Sequence, residues 1–478
     1  MSTTSVSTAD PIKRLIAYVH QSSYEDLPEN VINAVKKAIV DTVGAAIAGS
    51  SAPMGKLVCA MVQERGGKAD STVWCLGDRV PASEAAFANA IMGRCRELDD
   101  VHEGSPRLSI GHGGHMNVTI VPAALAAVES RPQPVDGKSL ITAIAIGGDL
   151  IARLRMAAGS AGRAGWEGPT VSPFGVAATV GKLLHFDPTL LANAMGAAYA
   201  HCCGNILSTS DGTWDVWLNA GTAARAGLIA AELAARGHQG ATSPLLGGSG
   251  LYPLYFRGEY HQQALLSGLG TEFESGNVSV KPYPSCKGTH HAIYTTLTLM
   301  NQHQIRCENI KGIVVRTSQY SMQLVAVDDH GAPKPTPRTI NEAQFNLAFT
   351  IALAAVKGAV FADLLNDSVL EDAHVLRLFA KVTVESTADK DALQQVEGYP
   401  PADVDIHTVD GQIYRGCERY VPGHPRNPLS FAAVVEKFWK CTELSIKPMS
   451  HSKLDQFLAD VEGLEYLDDS RRLAPLLG

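Results

Sequence analysis

The 478-residue sequence predicts a mostly α protein, a large helical part accompanied by a smaller α+β domain. Three observations carry that expectation. From about Pro11 to Tyr260 apolar and small residues recur at helical spacing; near residue 275 the texture turns strand-rich; after "GHPRNPLS", near residue 425, helical periodicity returns. The length exceeds one ordinary core. We therefore expect one domain from residues 1–275 plus 425–478 and a second from residues 276–424.

Taken in order, "LPENVINAVKKAIVDTVGAAIAGS" places Val31, Ala34, Val35, Ile39 and Val43 on one face and predicts a helix with a buried stripe. In "SEAAFANAIMGRCRELDD", Ser83 and Glu84 mark a helix start. "SPFGVAATVGKLLHF", "TLLANAMGAAYAHCCG" and "NAGTAARAGLIAAELAARG" continue with small residues all round, which suits helices buried in a bundle, the last closing at Gly237. "NVSVKPYPSC" opens with alternation, "IKGIVVRTSQ" reads as a strand from Ile310 to Thr317, and another strand is expected around Val382. "ADVDIHTVDGQIYRGCERY" predicts a hairpin turning at Asp410-Gly411. "NEAQFNLAFTIALAAVKG" is read as one helix between strands, and "FAAVVEKFWKC" and "HSKLDQFLADVEGLE" as helices returning to the first domain.

Composition narrows the function. Hydrophobic residues make up 45% and charged residues 18%, as in a compact enzyme. A net charge of −8 with no long Lys/Arg run argues against a nucleic-acid partner. Nine cysteines without paired CxxC spacing point to a reducing compartment. The N-terminus lacks a secretory pattern, and the apolar runs are interrupted well short of the ~20 residues that span a bilayer. A soluble cytoplasmic protein with no membrane partner is expected.

Two stretches concentrate chemistry. "RELDDVHEGSPRLSIGHGGHMN" brings Glu97, Asp99, Asp100, His102, His112 and His115 together before the apolar "VTIVPAALAAV". A helix starting near Asn117 or Pro122 would turn its unpaired N–H groups toward this loop, a place that favours a carboxylate. Histidine exchanges protons near neutral pH, and a neighbouring aspartate fixes its tautomer. The plainer alternative is a connector whose aspartates cap helices. A third alternative is a Zn²⁺ or Mn²⁺ hydrolase on Asp99, His102, His112 and His115, although the glycine-broken HxxH is not a helical HExxH. In "KPYPSCKGTHHAIYTT", Lys281 or Lys287 can hold a carboxylate, and Cys286 reads as an ordinary buried thiol. "LLGGSGLY" lacks the dinucleotide-binding spacing, and no P-loop or GxSxG is present.

"ELDDVH", a histidine before "VTIVPAALA", "KPYPSCKGTH" and "PRTINEAQFNLAFTIALAAVKG" occur in the order found in the MmgE/PrpD family, and the sequence resembles that family over nearly its whole length. The family includes 2-methylcitrate dehydratases, cis-aconitate decarboxylases and an iminodisuccinate epimerase. The resemblance implies a discontinuous all-helical bundle domain built from both chain ends, an inserted α+β domain and an active site between them. It further implies a small di- or tricarboxylate substrate, no metal or organic cofactor, and a homodimer. By motif position, Asp99 or Asp100 and His115 match the family's acidic and histidine positions, and Lys281 matches its lysine before the Tyr/Phe-Pro turn. Two departures stand out: "EGPTVSPFG" follows Trp166 where lyase members tend to carry a histidine, and Val216, beside Asp215, stands where some carry a lysine.

The resulting expectation is acid–base removal of a proton α to a carboxylate. His115 would exchange the proton, oriented by Asp99 or Asp100, with Lys281 and the helix N-terminus holding carboxylates. His102, Arg107, His112, Lys287 and His290 complete the expected substrate-binding set. Expulsion of β-hydroxide makes the enzyme a dehydratase-like lyase, the expected outcome; reprotonation on the other face makes it an epimerase, and loss of CO₂ a decarboxylase.

Overall fold

The computed structural model describes residues 10–105, 108, 111 and 114–478. Arg107 and His112, two expected ligand-holding residues, lie outside the described residues.

Helix Glu29–Gly49 buries Val31, Val35, Ile39 and Val43, the stripe visible in the sequence. Ala82–Arg94, Asn117–Glu129 and Gly137–Ala157 pack against it, and Ser172–Leu183 and Asp215–Ala235 pack on these in turn. Their small residues set the spacing of the bundle. A Cβ at Gly175 would come within 2.6 Å of the Gly147 carbonyl oxygen, so these two helices meet backbone to backbone. The long helix expected to close at Gly237 ends at Ala235, and Gly237 adopts φ +93° just beyond it.

The smaller part is a four-stranded sheet ordered Val382–Ser386, Ile310–Thr317, Asp403–Thr408, Ile413–Gly416. The first pair is parallel and the others antiparallel, with the hairpin turning through Gly411 at φ +86°. Two sequence expectations change in detail. The helix read through "NEAQFNLAFTIALAAVKG" is broken into Ile340–Gln344 and Leu347–Lys357, because the Asn346 side chain accepts from Phe349 N at 3.1 Å and starts a new helix. The alternation of "NVSVKPYPSC" yields only the two-residue strand Val278–Ser279, after which the prolines take over.

Two hydrophobic cores follow from this arrangement. The larger runs from Ile12 to Leu266 and takes in Val434, Phe438, Leu454, Phe457 and Leu477 from the chain end. The smaller runs from Tyr283 to Val421. Helix Phe431–Thr442 is fastened to the first core by Lys437, whose Nζ donates to Asp41 Oδ1 at 2.6 Å and to the Leu98 carbonyl at 2.8 Å. The protein thus has a mostly α fold with a smaller α+β domain. Among the described residues no single helix is long and apolar enough to cross a membrane.

Candidate active site

The site begins where helix Ala82–Arg94 stops. Glu97 takes φ +52°, a conformation uncommon for a residue with a side chain, and turns the chain back on the helix end. Val101–His102 then pairs antiparallel with Val278–Ser279, while His102 N donates to the Gly114 carbonyl at 2.9 Å. These short pairings draw three distant segments, residues 97–102, 114–117 and 278–287, into one place.

Four charged groups are buried there as a compact set. Arg94 Nη1 donates to the Glu97 carboxylate and to Asp99 Oδ1, the latter at 3.0 Å. Lys281 Nζ donates to the Glu97 carbonyl and Glu97 Oε2, both at 3.2 Å, and stands 3.5 Å from Asp99 Oδ1. Two cations therefore face two anions, the arrangement that makes burial of charge tolerable. Burial pushes the Asp99 carboxyl up, but Arg94, Lys281 and His115 outweigh it and hold the group far below the usual carboxylate range.

His115 Nδ1 lies 2.7 Å from the Asp100 carbonyl oxygen and 2.8 Å from Asp99 Oδ2. Both neighbours are acceptors, so Nδ1 carries the proton. Nε2 lies 3.4 Å from Arg94 Nη2, which can only donate, so Nε2 keeps its lone pair. The imidazole is thus held in the tautomer of a base. His115 lines a cleft of about 1350 Å³, together with Arg94, Arg155, Arg163 and Glu167 on the helical side. Cys286, Lys287, Tyr320 and Tyr399 line it on the α+β side, so the cleft follows the seam between the two cores.

The expected site residues separate into those at the cleft and those behind it. Lys281 is fully buried between Glu97 and Asp99 and is not part of the lining; the partner it was expected to find in substrate is supplied by Asp99. Asp100 accepts from Asn117 N at 3.2 Å and Asn117 Nδ2 at 3.0 Å and so caps helix Asn117–Glu129. The helix N-terminus expected to hold a substrate carboxylate is occupied by this side chain. Burial and the adjacent Asp99 raise the Asp100 carboxyl to about 6. His102 is buried, its Nε2 3.1 Å from Glu274 Oε2 and its Nδ1 accepting from Gly104 N at 3.1 Å. His290 Nε2 faces the Ser285 carbonyl at 3.1 Å, and burial beside Lys287 and Lys281 keeps the ring neutral far below its ordinary range. Lys287 does reach the cleft, its Nζ held by Glu103 Oε1 at 2.7 Å and Ser279 Oγ at 3.3 Å.

Sequence reasoning missed Arg94, Arg155 and Glu167 as parts of the site and counted Glu97 only among the acids of its stretch. Arg94 and Glu97 carried a faint signal, an oppositely charged pair three apart at a helix end. Arg155 gave none: its Nη1 and Nη2 donate to the Glu167 and Trp166 carbonyls at 2.8 and 3.0 Å and so pin the turn carrying Glu167 to the cleft wall. Trp166 braces the same turn by stacking on Tyr255, centroids 4.9 Å apart. Among the described residues no group of three His, Cys, Asp or Glu side chains is placed to hold a metal ion; His102 turns to Glu274 and Asp99 to its two cations.

Comparison with known proteins agrees with this architecture. A family model described as the MmgE/PrpD N-terminal domain matches residues 13–263, and one described as the MmgE/PrpD C-terminal domain matches residues 283–459. A cis-aconitate decarboxylase-like protein of Aspergillus oryzae is 25% identical over 79% of this chain and 80% of its own length. The cis-aconitate decarboxylase of Homo sapiens is 23% identical over 96% of this chain and 92% of its own, and that of Aspergillus terreus 24% over 95% and 93%. With both of its domains matched, the chain belongs to the MmgE/PrpD family and is an enzyme of that family's acid–base lyase kind.

Proposed function

We propose that this enzyme is a cofactor-independent lyase that removes a proton α to a carboxylate of a small hydroxy di- or tricarboxylate and expels the β-hydroxyl as water. The observation that carries the reading is the His115 tautomer: Nδ1 is tied to Asp99 and Asp100, and Nε2 keeps its lone pair at the cleft. When Nε2 takes the α-proton, Asp99 stabilises the imidazolium through Nδ1–H. Negative charge then grows on the substrate carboxylate. Arg163 and Lys287 line opposite walls of the cleft and place positive charge near it. Lys281 works from behind in this reading, helping Arg94 keep Asp99 ionised rather than touching substrate.

Loss of CO₂ in place of water is a second reading, favoured by the cis-aconitate decarboxylases among the relatives. One experiment addresses both. The enzyme is incubated in D₂O with a panel of di- and tricarboxylates while α-C–H exchange, alkene formation and CO₂ release are followed. His115→Ala should lower turnover by ~10²-fold or more with an unchanged melting curve. A variant retaining more than about a tenth of the activity removes His115 from the mechanism, and exchange without net product would move the reading to an epimerase.

A further inference from the structure

Glu167 lines the same cleft as His115 but belongs to a separate turn, and its surroundings set it apart from the other carboxyls of the site. Glu97 and Asp99 are each gripped by Arg94 and Lys281. Glu167 is equally buried, yet it receives no hydrogen bond from either cation: Oε1 forms only a 3.6 Å ion pair with Arg94 Nη2, and Oε2, like Asp99 Oδ2, has no hydrogen-bond partner. Arg155 donates its terminal nitrogens to the backbone of this turn rather than to the Glu167 carboxyl. An ionised carboxylate with an unpartnered oxygen in such a place is costly; a neutral carboxylic acid is much less so. Arg94 Nη2 stands 3.4 Å from His115 Nε2 and 3.6 Å from Glu167 Oε1, so the lone-pair nitrogen and the carboxyl oxygen are at most about 7 Å apart. A small substrate with reacting groups on adjacent carbons spans that gap.

We propose that Glu167 enters the reaction as a carboxylic acid and gives its proton to the departing β-hydroxyl after His115 Nε2 has taken the α-proton. The inference rests on the lyase reading above. The α-C–H bond breaks toward His115 and its electron pair is held on the adjacent carboxylate; that pair then forms the C=C bond as the β-C–O bond breaks toward oxygen, and the Glu167 O–H proton completes water. Glu167 is left as carboxylate and His115 as imidazolium, and exchange with solvent resets both. The groups around Glu167 point the same way: burial raises its carboxyl, Arg94, His115 and Arg155 draw it down, Glu97 raises it, and the net effect is upward from its ordinary value.

The test separates the two proton transfers. Citrate, malate and 2-methylcitrate are each paired with the analogue bearing chloride in place of the hydroxyl, since chloride leaves without needing a proton. Glu167→Gln should keep α-C–H exchange in D₂O within about threefold, slow loss of water ~10²–10⁴-fold, and recover elimination when chloride is the leaving group. His115→Ala should lose both exchange and elimination with either leaving group. Equal loss of hydroxide and chloride elimination in Glu167→Gln, or unchanged loss of water, overturns the assignment of Glu167. Wild-type enzyme that neither exchanges nor eliminates any panel member overturns the lyase reading instead. If Glu167→Gln fails to fold, the wild-type pH profile decides: an alkaline limb with hydroxide that is missing with chloride supports the acid, and identical limbs reject it.

Discussion

Substituting Asp99 by asparagine probes the site most deeply, because one carboxylate there serves both stability and the proposed chemistry. Its oxygens sit 3.0 Å from Arg94, 3.5 Å from Lys281 and 2.8 Å from His115. At an effective dielectric constant of ~20, each of the two cation contacts is an attraction of about 5 kcal/mol before desolvation is counted. After desolvation, removing one partner of a buried pair costs about 3–5 kcal/mol, because it leaves an uncompensated charge, here two cations facing Glu97. We expect Asp99→Asn to unfold at clearly lower urea and to turn over ~10²–10⁴-fold more slowly, since an amide NH₂ turned to His115 imposes the wrong tautomer. The double variant Asp99→Asn/Lys281→Met restores neutrality. It should regain at least half of the lost stability while turnover stays low. Urea titrations read the first effect and the D₂O exchange assay the second. Unchanged stability in the single variant would refute the ion cluster as drawn, and wild-type turnover in the double variant would show that His115 does not depend on Asp99.

Two further outcomes follow from groups beside this cluster. Asp100 is raised to about 6 from an ordinary 3.8, so the stability it contributes is complete below about pH 4 and lost as pH rises through 6. Thermal melts should fall across that window by the equivalent of about 3 kcal/mol, and Asp100→Asn, which carries no titrating proton, should lack the slope; an equal slope in both proteins would reject the assignment. Gly114 adopts φ +88°, and a Cβ there would lie 3.1 Å from Gly168 Cα and 3.3 Å from Arg155 Cδ. Gly114→Ala should therefore cost about 1–3 kcal/mol in a denaturation curve, and a variant as stable as the parent would contradict the contact.

Periodicity made most of the fold legible. Helix Glu29–Gly49, strand Ile310–Thr317 and the turn at Gly411 all lie where spacing and turn chemistry put them, because each is decided by residues near in sequence. The break at Asn346 was legible in principle, as a capping residue inside an apolar run, but the run is apolar enough to hide it. The site was legible only as a density of histidines and acids. Which of Asp99 and Asp100 faces His115 depends on the turn at Glu97, a backbone conformation that no spacing rule announces. Arg94 and Lys281 read as a helix end and a turn lysine until a short strand pairing brings them to the same carboxylate. Glu167 lay unnoticed in a stretch that merely departs from the family's pattern. The unpartnered oxygen that gives it chemical meaning is a property of packing.

The pairing of Val101–His102 with Val278–Ser279 has a consequence for how the protein matures. It closes a very long loop, for Lys281 and Glu97 are 184 positions apart, and loops of that span are slow to form. Until they do, Glu97 and Asp99 share one arginine, and nothing equal in charge offsets them. The helical body therefore reaches electrical balance only once the segment carrying Lys281 has returned to it, and an incomplete chain holds its histidine in unfinished company. Assembly and competence arrive together, so a partly folded enzyme has little opportunity to strip protons from the wrong molecule.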